Sequence, residues 1–94
     1  MANLPSVEVL EQGHTFPCSF VFKAIGSSEN DFVVRVVAAV RTVLVCEADP
    51  PYTIRQTGGG RHVAVTLEPQ VQTAAQVLAV YRGIQQVAGL VMLL

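Results

Sequence analysis

The chain has no tryptophan, two cysteines, two histidines and only six basic residues among 94. Each shortage closes a class of function. The basic residues are scattered from Lys23 to Arg82, so no patch can neutralise a run of phosphates, and nucleic-acid binding is not expected. Cys18 and Cys46 stand far apart with no CxxC spacing, and His14 and His62 do not join them at a ligand spacing. No metal site, disulfide framework or cofactor is therefore expected. No apolar run approaches the roughly 20 residues that span a bilayer. No basic residue precedes Lys23 and no apolar core follows the first residues, so a secretory signal is not expected and a cytoplasmic location is. Catalytic patterns are missing too: there is no Ser-His-Asp order, no paired-carboxylate setting and no HExxH. Lys23 has no acid partner at a telling spacing, and a non-enzymatic chain is expected.

What is present is apolar. At 51% hydrophobic and 14% charged, the chain supports one core and leaves an apolar face over once that core is built. Residues 1–15, with Pro5 and Gly13 and no sustained period, read as an N-terminal tail with at most one short turn of structure. From Phe16 the period is two. Phe16, Cys18, Phe20, Phe22 and Ala24 share a core-facing side, and Ser19, Val21, Lys23 and Ile25 share the other. Gly26 then turns the chain sharply, by a positive φ or a close helix approach. Ser27 or Ser28 is placed to cap a helix, and Asn30 or Asp31 to reinforce its first turn. From Glu29 to Leu44, polar Asp31, Arg35, Arg41 and Thr42 oppose a stripe of Phe32, Val36, Val40 and Val43, which favours helix despite the β-branched residues.

Pro50 and Pro51 close the next connection. Tyr52 to Thr57, the Gly58-Gly59-Gly60 run and the alternating Arg61 to Glu68 segment then form a β-hairpin. After Pro69, Thr73 and Gln76 make a capping box for a second helix, with Val77, Leu78, Tyr81 and Ile84 buried. Leu90 to Leu94 is a last strand, apolar on both faces: Leu90, Met92 and Leu94 on one, Val91 and Leu93 on the other. The order β-α-β-β-α-β predicts an α+β, ferredoxin-like domain over residues 16–94, a four-stranded antiparallel sheet with two helices on one face.

Two loops are candidate sites. Gly26, Ser27, Ser28 and Asn30 precede a helix N-terminus, which offers unpaired donors to an anion or an effector, although helix capping alone explains the serines and Asn30. Gly58, Gly59, Gly60 and Arg61 could present backbone N–H groups to an anion, but they join two strands rather than opening a helix, and a hairpin turn explains them as well. Other proteins of this fold class are excluded by letters. An RNA-binding sheet needs exposed aromatics, and Val63 to Leu67 has none. A metallochaperone needs CxxC where this chain has GSSEN, and a phosphatase loop needs an arginine before Arg35.

The run FPCSFVFKAIG from Phe16 to Gly26, the glycine-marked hairpin, LAVYRGI and the terminal VMLL together resemble the YbeD-like family of small bacterial proteins, the domain of unknown function 493. Phe16, Pro17, Phe20, Phe22, Lys23, Ile25 and Gly26 carry the match. Thr57, Gly58, Gly60, His62 and Ala64 stand where the family shows a serine pair, glycine, tyrosine and serine. The resemblance implies an ACT-like regulatory domain, a small-molecule effector and a link to lipoic-acid regulation. A small enzyme or acyl-group-binding accessory protein in lipoate metabolism is the alternative. The apolar terminal strand and the helix-free sheet face add the expectation of a homodimer or a protein partner through the sheet.

Overall fold

A computed structural model describes residues 4–94. Its main sheet holds β2 (Phe22–Ser27), β3 (Tyr52–Thr57), β4 (His62–Leu67) and β6 (Leu90–Leu93) in the spatial order β3-β4-β2-β6, every neighbour antiparallel. Two helices, α2 (Phe32–Leu44) and α3 (Ala74–Gln85), pack together and cover one face. That order and layering is the ferredoxin-like α+β arrangement. The core lies between the layers: Phe22, Ala24, Val63, Val65 and Leu67 from the sheet meet Phe32, Val36, Val40, Val77, Val80 and Ile84 from the helices. Period-two spacing puts Phe22 and Ala24 there, and period-3.6 spacing Phe32, Val36, Val40, Val77 and Ile84, as the sequence predicts.

The structure departs from the sequence reading in five places. Within the expected tail, residues 1–3 lie outside the described residues, but Val7–Gly13 forms α1, two turns where at most one was expected. The Ser6 side chain accepts from the Val9 N–H at 3.2 Å, and Leu10 is buried in the core with Leu4 and Val7 against it. A seven-residue helix is too short to be stable alone, so this anchoring holds it. Secondly, the strand expected from Phe16 breaks near Val21. Its first part, β1 (Cys18–Ser19), leaves the main sheet and pairs with β5 (Gln70–Val71), just after Pro69. The Phe20 N–H bonds to the Pro69 carbonyl at 3.0 Å, so a proline that donates nothing still takes part in the small sheet as an acceptor. The face assignment survives the break, since Phe20, Phe22 and Ala24 are all buried.

Thirdly, the start of α2 is not capped by serine. Its N-cap is Asp31, which like Asn30 is left-handed and makes no side-chain cap bond. Fourthly, Tyr81 is only partly buried, and Ala74 and Val80 complete the core stripe of α3. The α3 cap itself is as expected: Thr73 Oγ1 accepts from the Gln76 N–H at 3.2 Å, although Gln76 Oε1 reaches back to the Gln72 N–H instead of that of Thr73. Fifthly, β6 does not alternate. Leu93 pairs with Ala24 and Met92 with Ile25, but Leu90 pairs with Gly26, so the register shifts at Val91. This bulge turns Leu90 and Leu93 to the same, core-facing side and leaves Val91, Met92 and Leu94 exposed.

Gly26 shows why the first loop is tight. A Cβ there would meet the Phe32 ring and lie 2.6 Å from the Gly89 carbonyl oxygen, so close approach, and not a positive φ, is what demands glycine.

Candidate functional site

The two candidate loops, read separately in the sequence, meet at one end of the sheet. Register places Ser27 opposite His62, so the turn after β2 lies over the hairpin tip. The Ser28 hydroxyl donates to the Gly60 carbonyl at 2.5 Å, and the Ser28 N–H donates to the Arg61 carbonyl at 3.1 Å. The neighbouring donors are engaged as well. Ser27 N–H reaches the Gly89 carbonyl at 3.0 Å, and Glu29 N–H reaches Ser27 Oγ at 3.2 Å. The serines therefore fasten the β2-α2 turn to the hairpin and to the α3-β6 connection.

Arg35 completes the seam, a role its place on the polar face of α2 did not signal. Its Nε donates to the Asn30 carbonyl at 2.8 Å and its Nη1 to the Ala88 carbonyl at 2.7 Å. On the hairpin side Gly58, Gly59 and Gly60 all have positive φ, a tight reversal that residues with a Cβ rarely make. Arg61 and His62 are exposed beside them, and Glu29 and Asp31 stand exposed on the facing turn. Thr57 pairs with His62 at the hairpin end, and Ala64 is buried between Ile25 and Arg55.

A second feature is the helix-free face of the sheet. Ile25 and Met92 are paired, Leu94 exchanges both backbone hydrogen bonds with Lys23, and Val21 precedes them on the same side. Val21, Met92 and Leu94 are at least half exposed, with Lys23 the one charge among them. On the opposite side of the molecule, a hollow of about 360 Å³ at the end of α2 is lined by Ala38, Arg41, Thr42, Val45, Cys46 and Glu47. Arg41 there pairs with Asp49 at 3.2 Å and donates to the Glu47 carbonyl at 2.9 Å, which fixes the α2-β3 connection.

The cysteines stay apart, Cys18 half-buried and Cys46 exposed, and among the described residues no group of His, Cys, Asp and Glu is arranged to hold a metal ion. His14 is exposed against Phe20, at 4.9 Å between ring centroids. Tyr81 packs edge-on to Phe22 at 5.0 Å, and burial raises its phenol pKa by penalising the charged form. No helix of the described residues is long and apolar enough to cross a membrane.

Comparison with known proteins agrees with this architecture. The model of the family "Protein of unknown function (DUF493)" matches residues 11–94. The chain belongs to the DUF493 family. A UPF0250 protein of Shewanella oneidensis is 27% identical over 89 residues, covering 95% of this chain and 94% of the relative. Another UPF0250 protein, of Shewanella amazonensis, is 28% identical over 74 residues, covering 79% and 82%. The solution structure of protein HP0495 from H. pylori superposes with a TM-score of 0.66 at 11% identity, covering 100% of this chain and 98% of the other. At that identity the likeness speaks for the fold alone. DUF493 is the YbeD-like family whose residues the Phe16 to Gly26 run matches.

Proposed function

We propose that this DUF493 protein is a non-enzymatic regulatory or interaction domain that works through the helix-free face of its sheet, in a homodimer or with a protein partner seated there. The observation that carries this reading is the cluster of Val21, Ile25, Met92 and Leu94 on a face no helix covers, with Val21, Met92 and Leu94 54%, 50% and 59% exposed. Covering such side chains gains roughly 25 cal/mol per Å². Lys23 can lay its methylenes along the patch while its ammonium stays in water.

The test is a dilution series followed by methyl NMR. The Ile25, Met92 and Leu94 methyl signals shift together with concentration, or on addition of a partner, while those of Val36 and Val40 in the core do not. Sheet-face methyls that stay still while other surface methyls respond would refute the reading.

A small effector is the second reading, favoured by the seam where Ser28 joins Gly60 and Arg61, because a ligand there would bear on the hairpin and α2 at once. The family resemblance directs that reading to lipoate metabolism, where an acyl-group-binding accessory protein or a small enzyme is the alternative. Calorimetric titration with lipoate, octanoate and amino acids tests it. Saturable heat that disappears in Ser28→Ala supports the effector, and flat titrations count against it.

A further inference from the structure

We infer that the opposite edge of the sheet, β3, is a docking site for an extended segment of another protein, apolar on the side facing the helices and acidic on the other. Its backbone edge lies across the sheet from the Val21, Ile25, Met92 and Leu94 patch on β2 and β6, with β4 between them, and Arg55 alone of its specifying side chains shares the helix-free face with that patch. β3 is an edge strand paired only with β4, and all six of its residues are exposed. The Glu68 N–H bonds to the Pro51 carbonyl at 2.9 Å, which sets the phase of the ladder. Continuing the alternation, Thr53, Arg55 and Thr57 turn their backbone groups to β4, and Tyr52, Ile54 and Gln56 turn theirs outward. Three alternate residues thus offer both a donor and an acceptor to an added strand.

The side chains specify what that strand carries. Tyr52 and Ile54 share the helix-facing side with Leu67 and Val65, their partners in register, yet remain 40% and 52% exposed because α2 does not reach over them. Between α2 and the start of β3 lies a groove of about 190 Å³ lined by Val34, Val37, Ala38, Arg41, Asp49 and Tyr52, and Val34 is 63% exposed. An apolar side chain of an added strand facing Tyr52 would lie in this groove, and the next on that side would cover Ile54. On the other side stands Arg55, opposite Ala64. Among the described residues the one ion pair joins Arg41 to Asp49, which leaves Arg55 without an acidic partner. For an antiparallel addition Arg55 occupies a non-hydrogen-bonded site, where facing side chains come closest, so a carboxylate there is favoured.

Arg55 also argues against a second copy as the occupant. A twofold pairing of β3 with itself, kept in one sheet, sets Arg55 opposite Arg55, Thr53 or Thr57 of the copy. In each of these registers two guanidinium groups lie directly or diagonally across from each other. Like charges so placed are destabilising, a known guard on sheet edges.

The probe is the acetylated, amidated peptide Ser-Val-Glu-Val-Thr-Val-Thr, titrated into the ¹⁵N-labelled full chain. The expected result is that the amides of Tyr52, Ile54 and Gln56 shift and gain protection from hydrogen exchange. Methylating the three valine nitrogens abolishes binding. Replacing Glu by Lys weakens binding about fivefold, and Arg55→Glu reverses the preference between the two peptides. The reversal itself shows that the variant is folded. No shift up to millimolar peptide, shifts centred on β6 and Ile25, or a preference unmoved by Arg55→Glu would overturn the inference. Shifts confined to Ile25, Met92 and Leu94 would overturn it while supporting the sheet-face reading.

Discussion

At the scale of single residues, the aromatic cluster sets the alignment of sheet and helices. Phe22 is fully buried, 4.9 Å from Phe20 and 5.0 Å from Tyr81 between ring centroids. Phe22→Ala is expected to cost about 3–5 kcal/mol, from lost burial and the cavity left behind, measured by chemical denaturation. Gly26 is constrained from the opposite direction. Since an added methyl would meet Phe32 and the Gly89 carbonyl, Gly26→Ala should cost about 1–3 kcal/mol by overpacking in the same assay. Tyr81 offers a pH readout. Its pKa is raised by burial, so the folded state holds the neutral phenol more firmly than the unfolded chain does. That contribution is intact below the ordinary tyrosine pKa of about 10 and is lost as pH rises through the higher folded value. Stability should therefore fall on alkaline titration, and Tyr81→Phe should flatten that fall.

At the scale of elements, the sequence was most legible where a period ran unbroken and least legible where geometry interrupted one. The hairpin and α3 were readable because turn and cap residues sit beside clear alternation or a clear stripe, as with Gly58 to Gly60 and Thr73. The divided first strand was not, since Phe20, Phe22 and Ala24 keep one alternation across a break that only the pairing of Cys18 with Val71 reveals. Nor does an all-apolar LVMLL betray a bulge, because every residue in it suits either face. Both candidate loops were visible as glycine and serine runs, but their union through Ser28 and the Arg35 clamp depends on contacts distant in sequence.

The C-terminus of α2 carries a prediction of its own. Val45 ends that helix with φ at 53° and is 86% exposed, so a β-branched residue holds a left-handed conformation and buries little in return. Val45→Gly should stabilise the domain by about 1 kcal/mol, seen as a higher denaturation midpoint.

At the scale of the whole molecule, the two edges and the open face are not equivalent. The bulge at Val91 shortens the backbone edge that β6 can offer, so the proposed association rests on the adjoining side chains of Ile25, Met92 and Leu94 rather than on that edge. β3 instead presents a regular edge guarded by Arg55. A domain so built could hold a copy of itself on its face while leaving β3 free for a different chain. The most direct test is sedimentation equilibrium from low to high micromolar concentration on the wild-type chain, Met92→Lys and Ile54→Lys. The account predicts dimers for the wild type and Ile54→Lys, with Met92→Lys shifted towards monomer. A wild-type chain that stays monomeric throughout would contradict the homodimer and leave only a protein partner for the face, and a Met92→Lys variant that dimerises as tightly as the wild type would contradict the face itself.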